Sequence, residues 1–110
     1  MSKAYRYIAS MSELLPELPE ESILSRTVHS DEEVNVTLFG FAAGQELTEH
    51  TAAFPALLHF LEGEFTLRLG EDQMQAGLGA WAYMPAHLPH SVRAETAGSL
   101  LLVLIKASAS

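Results

Sequence analysis

The sequence predicts an all-β fold, built as a sandwich or a barrel. Short segments rich in β-forming side chains recur along the chain, and turn signals separate them roughly every 6 to 10 residues. No segment carries the extended periodicity of a long helix. A chain of 110 residues suits one domain, and 48% hydrophobic with 18% charged residues indicates a globular protein rather than a disordered one.

A short arm precedes the β-segments. Residues 11–21 hold two prolines and four glutamates. Pro16 and Pro19 limit any helix there to a single turn, because proline interrupts a helix interior. We therefore divide the chain into an N-terminal arm at 1–22, a β-barrel domain at 23–107 and a tail at 108–110.

Nine β-segments follow the arm in order. A polar turn at 30–33 ends the first, Gly44 breaks the chain after the second, and Pro55 precedes the fourth. Glycine turns and a proline-bounded loop separate the later ones. Strands are predicted at 23–29, 34–41, 47–51, 57–61, 65–69, 73–76, 80–84, 90–94 and 100–106. The segment 100–105 is apolar on both faces, which predicts burial inside the domain or beneath a partner subunit.

Composition excludes several classes of function. A formal net charge of −8 opposes nucleic acid and anionic membranes as partners, because both bind basic surfaces. The chain has no cysteine, so disulfides, thiolate chemistry and cysteine-based zinc sites are ruled out. No secretory signal is visible, and no apolar run reaches membrane-spanning length. A cytoplasmic protein with a small-molecule ligand is the expectation.

Two of the five histidines, His50 and His90, stand in recognisable surroundings. Residues 44–63 read G-x5-H-x-A-x3-A-x6-G, and residues 79–90 read G-x5-P-x-H-x2-H. Both patterns resemble the signature motifs of the cupin superfamily, G-x5-H-x-H-x3,4-E-x6-G and G-x5-P-x-G-x2-H-x3-N. The resemblance covers roughly residues 34–105. It implies a double-stranded β-helix, or RmlC-like jelly-roll barrel.

The resemblance also implies a metal site with two positions changed. Cupin metals are held by two histidines and a glutamate of the first motif and one histidine of the second. His50 matches the first ligand and His90 the last, whereas Ala52 and Ala56 occupy the two middle positions. Two imidazoles without a carboxylate form a poor site for a tightly held divalent ion.

Other residues are candidates to complete the site. His87 stands where the second motif has glycine, and we predict it as a third metal ligand, beside the alternative of a solvent-exposed loop residue. His59 is expected to face outward by strand alternation. Glu46 shares the parity of His50 but lies close to a turn. The ion expected is Fe, Mn, Ni or Zn.

The two alanines also predict an apolar pocket. Small side chains at both positions enlarge the barrel interior, and an apolar cavity beside two imidazoles suits a small molecule. Alternatively, the large side chains predicted to line this pocket belong to the ordinary hydrophobic core. The predicted lining is Ala52, Ala56, Leu58, Phe60, Phe41, Trp81 and Met84.

Three kinds of function follow. With a metal, the chain would be a dioxygenase or an isomerase of small molecules. Without one, His50 or His90 would act as a proton shuttle, because imidazole titrates near neutral pH. The third is a non-enzymatic ligand-binding or sensory barrel. A homodimer is expected in each case, since a single small barrel leaves the arm and the apolar end strands uncovered.

Overall fold

This computed structural model contains nine β-strands and one 3₁₀-helix, Met11–Leu14, among its described residues. The description covers residues 4–15 and 17–106, with the backbone alone at residues 49 and 50. Every predicted strand coincides with an observed one, apart from small differences at the ends. The strands are β1 (Ile23–Ser30), β2 (Val34–Phe41), β3 (Glu46–His50), β4 (Ala56–Glu62), β5 (Phe65–Leu69), β6 (Asp72–Ala76), β7 (Trp81–Met84), β8 (His90–Ala94) and β9 (Gly98–Ile105).

Two antiparallel sheets enclose the core. The larger sheet has the strand order β1-β2-β9-β4-β7, and the smaller has β3-β8-β5-β6. After β2 the chain repeatedly crosses between the sheets, so that strands distant in sequence become neighbours. This crossing pattern is the jelly-roll arrangement, and it confirms the predicted fold class. Among the described residues, no helical segment has the length and hydropathy that crossing a bilayer requires.

Phenylalanine rings fill the space between the sheets. Phe65 of the smaller sheet packs against two rings of the larger one, with ring centroids 5.3 Å from Phe41 and 5.1 Å from Phe60. All three side chains are fully buried. Such tilted and edge-on contacts add stability beyond burial alone. The remaining core residues alternate along each strand with outward-facing ones, as the two-residue period of a strand requires.

The arm lies across the outer face of the larger sheet. Leu15 and Leu18 pack over Gly40 so closely that a Cβ there would lie 2.9 Å and 3.3 Å from their Cδ1 atoms. Leu38, two residues earlier on β2, is buried on this outer face. β1 begins at Ile23, and the division of the chain into arm, barrel and tail stays a prediction. Residues 107–110, which include the predicted tail, lie outside the described residues.

A chain of hydrogen bonds fastens the beginning of the arm to β1. Arg6 Nε donates to Nδ1 of His29 at 3.0 Å, and Nε2 of His29 lies 2.7 Å from Oδ2 of Asp31. Because the ring accepts at Nδ1, Nε2 carries the proton and donates to Asp31. Oδ1 of Asp31 accepts from the backbone N–H groups of Glu33 and Val34. These bonds, that to His29 first, lower the pKa of Asp31 to about 2.

Candidate metal and ligand site

His50 and His90 are brought together by the pairing of β3 with β8. They are register partners in this antiparallel pair, and a register shift lies between Leu47 and His50. Partners in such a pair have Cα atoms about 5 Å apart. The two motifs of the sequence therefore meet at one point of the smaller sheet. His90 also pairs with Leu69, the last residue of β5, so this point lies where β3 and β5 end and β8 begins.

The ring of His90 is held in one orientation by the proline loop. Its side chain is buried, with 6% exposed, and Nδ1 lies 2.9 Å from the carbonyl oxygen of Leu88. A carbonyl only accepts, so Nδ1 carries the proton, and a neutral ring then has its lone pair at Nε2. Metal-bound histidines are usually oriented by this kind of bond. The sequence motifs did not identify Leu88 as the partner of His90. Its position in the loop, next to Pro89, was the only sequence feature that could have indicated this role.

His87 lies in the same loop with an unusual backbone. Its φ is +69°, in the left-handed region, where the family motif has glycine. Histidine tolerates this region better than most residues, at some cost in strain. The N–H of His87 donates to the carbonyl oxygen of Ala52 at 2.7 Å, which ties the second motif to the first. The side chain of His87 is exposed, so its predicted role as a metal ligand stays a prediction.

Most of the predicted pocket walls belong to the packed core. Ala56 is 1% exposed, and its neighbours in the core cluster are also almost completely buried. Ordinary core, the alternative that the sequence left open, therefore describes these side chains, because residues from both sheets pack closely there. Ala52 lies outside this core and is half-buried. The predicted wall residues in the core are Phe41, Ala56, Leu58, Phe60 and Met84.

The prediction that Trp81 lines the pocket was wrong. It is 62% exposed on the outer face of the larger sheet, whereas Met84 on the same strand points into the core. Both faces of β7 carry apolar side chains, so the hydrophobic pattern did not distinguish them. The pairing of Met84 with Ala56 decides which face points inward. His59 is exposed on the outer face, as strand alternation predicted.

A separate cavity of about 450 Å³ lies between the arm and the outer face of the larger sheet. Its apolar lining includes Leu15 and Leu18 of the arm and Leu38 of β2, and Glu62 supplies its one carboxylate. No histidine contributes to this lining. The cavity is therefore a feature of the arm and lies apart from the motif histidines, which are on the smaller sheet.

The residues at the motif positions fit the four-ligand metal site of cupins poorly. Among the residues whose side chains are described, no group of three histidine, aspartate or glutamate residues could hold a metal ion. In that same part of the chain, no buried side-chain nitrogen or oxygen lacks a hydrogen-bond partner. His90 has the orienting hydrogen bond typical of a metal ligand, but the positions of a second histidine and of a carboxylate carry methyl groups.

Comparisons with known proteins agree on the fold. No protein-family model and no curated protein matches the chain. Among solved structures, a cupin superfamily protein from Desulfitobacterium hafniense DCB-2 is 22% identical over 88% of each chain, with a TM-score of 0.82. An RmlC-like cupin from Desulfovibrio desulfuricans is 26% identical, covering 96% of this chain and 98% of that one, with a TM-score of 0.76. The chain belongs to the cupin superfamily.

A further structure resembles this cupin over part of a longer protein. A cupin 2 conserved barrel domain protein from Leptotrichia buccalis is 31% identical over 87% of this cupin, with a TM-score of 0.80. The match covers 46% of that chain. The fold and the family resemblance are therefore confirmed, whereas the reaction and the ligand of this cupin rest on its own residues, since one fold serves many functions.

Proposed function

We propose that this cupin binds a small molecule at the end of the barrel where β8 begins, together with a labile divalent ion held by His50 and His90. The observation that carries the proposal is the bond from His90 Nδ1 to the Leu88 carbonyl, which favours the tautomer with its lone pair at Nε2. The register pairing with His50 puts a second imidazole-bearing residue on the neighbouring strand.

The chemistry of the donors limits which ion suits this position. Imidazole nitrogen suits Zn²⁺, Ni²⁺, Cu²⁺ and iron, whereas Mg²⁺ and Ca²⁺ prefer oxygen ligands. A bound ion of this kind would polarise an oxygen of the ligand. Two protein donors leave several coordination positions open, so a chelating small molecule would strengthen the site. The formal net charge of −8 favours the approach of a cation.

The packed core favours a ligand position away from the barrel centre. Ala56, at the position of the family's glutamate, and its register partner Met84 are almost completely buried. The ligand would instead contact the loop that carries His87, next to half-buried Ala52. An enzymatic role as dioxygenase or isomerase requires that such a ligand also be turned over. With no ion, His90 Nε2 would be the atom that accepts a proton from the ligand.

Metal titration tests the proposal directly. We expect isothermal titration with Zn²⁺ or Ni²⁺ to show about one ion per chain, and His90→Ala and His50→Ala to abolish the binding. His59→Ala is the matched control, since it removes an exposed histidine from the outer face. Binding that survives in both site variants, or no binding by the unaltered protein, would overturn the metal-dependent function.

Restoring a lost ligand provides the opposite test. Ala52→His replaces a half-buried methyl group with the second histidine of the family motif. A third imidazole should raise the affinity for Zn²⁺ markedly, because three protein ligands are the usual minimum for a stable zinc site. Ala56→Glu is expected instead to destabilise the protein, since it would bury a carboxylate in the core.

A metal-free ligand-binding barrel is the second candidate. The methyl group of Ala56 at the carboxylate position favours it, because this is the ligand that would neutralise most of the charge of an ion. This function predicts thermal stabilisation by a small molecule in the presence of a chelator such as EDTA. Screening small carboxylates and neutral metabolites for shifts in Tm, with and without chelator, separates the two candidates.

A further inference from the structure

The cavity between the arm and the larger sheet has the size of a small-molecule site. Its volume is about 450 Å³, and sites that bind small molecules are usually of about 300–1,000 Å³. One wall is the outer face of the sheet, where Ser99 of β9 and its register partner Glu62 of β4 line the cavity. The opposite wall belongs to the arm, through Ser12 and Leu15.

Ser99 brings a hydroxyl group to this cavity. The residue is only 8% exposed, and its neighbour Leu100 belongs to the core, so Ser99 points to the outer face of the sheet. Among the described residues, none forms a hydrogen bond with the hydroxyl group of Ser99. Every completely buried side-chain nitrogen or oxygen in that part of the chain has a partner, so this hydroxyl lies at the cavity surface. It is therefore available to hydrogen-bond to a bound molecule.

Glu62 brings a carboxylate to the same cavity. The register of β4 with β9 shifts between Phe60 and Glu62, and this β-bulge leaves both Leu61 and Glu62 in the cavity lining. Register partners such as Glu62 and Ser99 have Cβ atoms about 5 Å apart. Within the described part of the chain, no basic side chain forms an ion pair with Glu62. One cationic group can therefore contact both the carboxylate and the hydroxyl.

The rest of the lining is mostly apolar. Leu18 of the arm and Leu38 and Leu61 of the sheet belong to it. The hydroxyl groups of Ser10 and Ser12 in the arm lie 3.0 Å apart and bond to each other. No lysine, arginine or histidine occurs among the described residues of the lining. The cavity thus suits a molecule with an apolar body and one positively charged end.

We propose that this cavity binds a small molecule that carries a protonated primary amine on an apolar group. An ammonium group has three N–H donors and no acceptor, which matches the carboxylate of Glu62 and the hydroxyl of Ser99. The formal net charge of −8 favours the approach of such a cation. This site is separate from the one proposed at His50 and His90, because those residues lie on the smaller sheet.

Three probes with the same phenylethyl body and different end groups test the proposal: phenethylamine, phenethyl alcohol and phenylpropionate. Isothermal titration at neutral pH should show about one phenethylamine bound per chain. The alcohol should bind at least about fivefold more weakly, because it forms no ion pair with the carboxylate. The acid should show no binding, because the carboxylate repels it. In NMR spectra, phenethylamine should shift the amide signals of Ser99 and Glu62 and leave that of His90 in place.

Substitutions of the two polar residues separate their contributions. Glu62→Gln should weaken phenethylamine binding about fivefold and leave the affinity for the alcohol unchanged. Ser99→Ala should weaken amine binding roughly fivefold, because one hydrogen bond is lost. Glu64→Gln is the matched control, since it removes the same charge from a carboxylate that lies beside Gly77, outside the cavity lining. Far-UV circular dichroism checks that all variants keep the fold.

Four results would overturn the proposal. The first is that phenethylamine does not bind at concentrations up to about 10 mM. The second is that the alcohol or the acid binds as tightly as the amine. The third is that Glu64→Gln weakens amine binding as much as Glu62→Gln, because overall charge would then be the cause. The fourth is that amide shifts occur around His90 and not at Ser99, which would place the amine at the other site.

Discussion

His50 and His90 are register partners across β3 and β8, and the Leu88 carbonyl orients the ring of the second. The same bond gives His90 a structural role in addition to its proposed binding role, and substitutions can separate the two. His90→Ala should lower the free energy of unfolding by about 1–3 kcal/mol, because it removes the donor that the Leu88 carbonyl accepts from.

His90→Asn should recover part of that stability, since an amide N–H can reach the same carbonyl, but should not recover Zn²⁺ binding. Urea unfolding and metal titration of the two variants make the comparison. Equal stability of both variants would indicate that the bond to Leu88 contributes nothing measurable.

The left-handed backbone at His87 predicts a substitution that is tolerated. With φ at +69°, glycine avoids a strain of about 1 kcal/mol, and its larger conformational freedom in the unfolded chain offsets part of the gain. We expect His87→Gly to leave the unfolding free energy unchanged or raise it by up to about 1 kcal/mol. His87→Val should lower it, because a β-branched side chain tolerates positive φ poorly. Urea unfolding measures both changes.

Two results for His87→Gly would contradict these expectations. Clear destabilisation by His87→Gly would mean that the imidazole makes a stabilising contact. Unchanged Zn²⁺ affinity in this variant would remove His87 from the predicted metal ligands.

Two motif glycines should respond differently to the same change. Gly44 and Gly63 have nearly equal positive φ values, 83° and 85°. A Cβ at Gly44 would meet nothing within 4 Å, whereas one at Gly63 would lie 2.6 Å from the carbonyl oxygen of Ala97. Gly44→Ala should therefore cost only the backbone strain, about 1 kcal/mol. Gly63→Ala adds a clash with backbone and should cost roughly 3 kcal/mol. Chemical unfolding of both variants tests this, and equal losses would contradict the role assigned to the close contact.

Asp31 predicts a pH dependence at the base of the arm. Its hydrogen bonds, that from His29 first, lower its pKa from 3.8 to about 2. The folded state therefore binds this proton more weakly than the unfolded state does. The stabilisation is present above pH 3.8 and is lost as the pH falls through about 2. The difference in urea midpoint between the unaltered protein and Asp31→Asn should shrink over that interval. Glu32→Gln, which removes a neighbouring exposed charge, is the control and should show a smaller change.

Much of the fold could be predicted from local sequence. The turn residues Gly44, Pro55 and Gly63 and the segments between such turns predicted all nine strands, because turn chemistry and strand propensity act over a few residues. The motif spacing also singled out His50 and His90 before their pairing was known.

The faces of the strands were harder to predict. Alternation shows that Trp81 and Met84 lie on opposite faces, so only one of the two could line the interior as predicted, but it does not show which face is inside. Both are large and apolar, so burial energy alone favours either choice. Only the pairing of Met84 with Ala56 inside the larger sheet resolves it.

Residue types at fixed spacings predicted the strand positions and the glycine turns. They also showed that two of the four expected metal ligands are replaced. Each of these features depends on one short segment of sequence. Long-range packing settled three further features: β3 pairs with β8, Ala56 is buried beside Met84 in the core, and Trp81 faces outward. Each of these depends on which strands become neighbours. That choice is made by the packing of the whole core and is not encoded in any one segment.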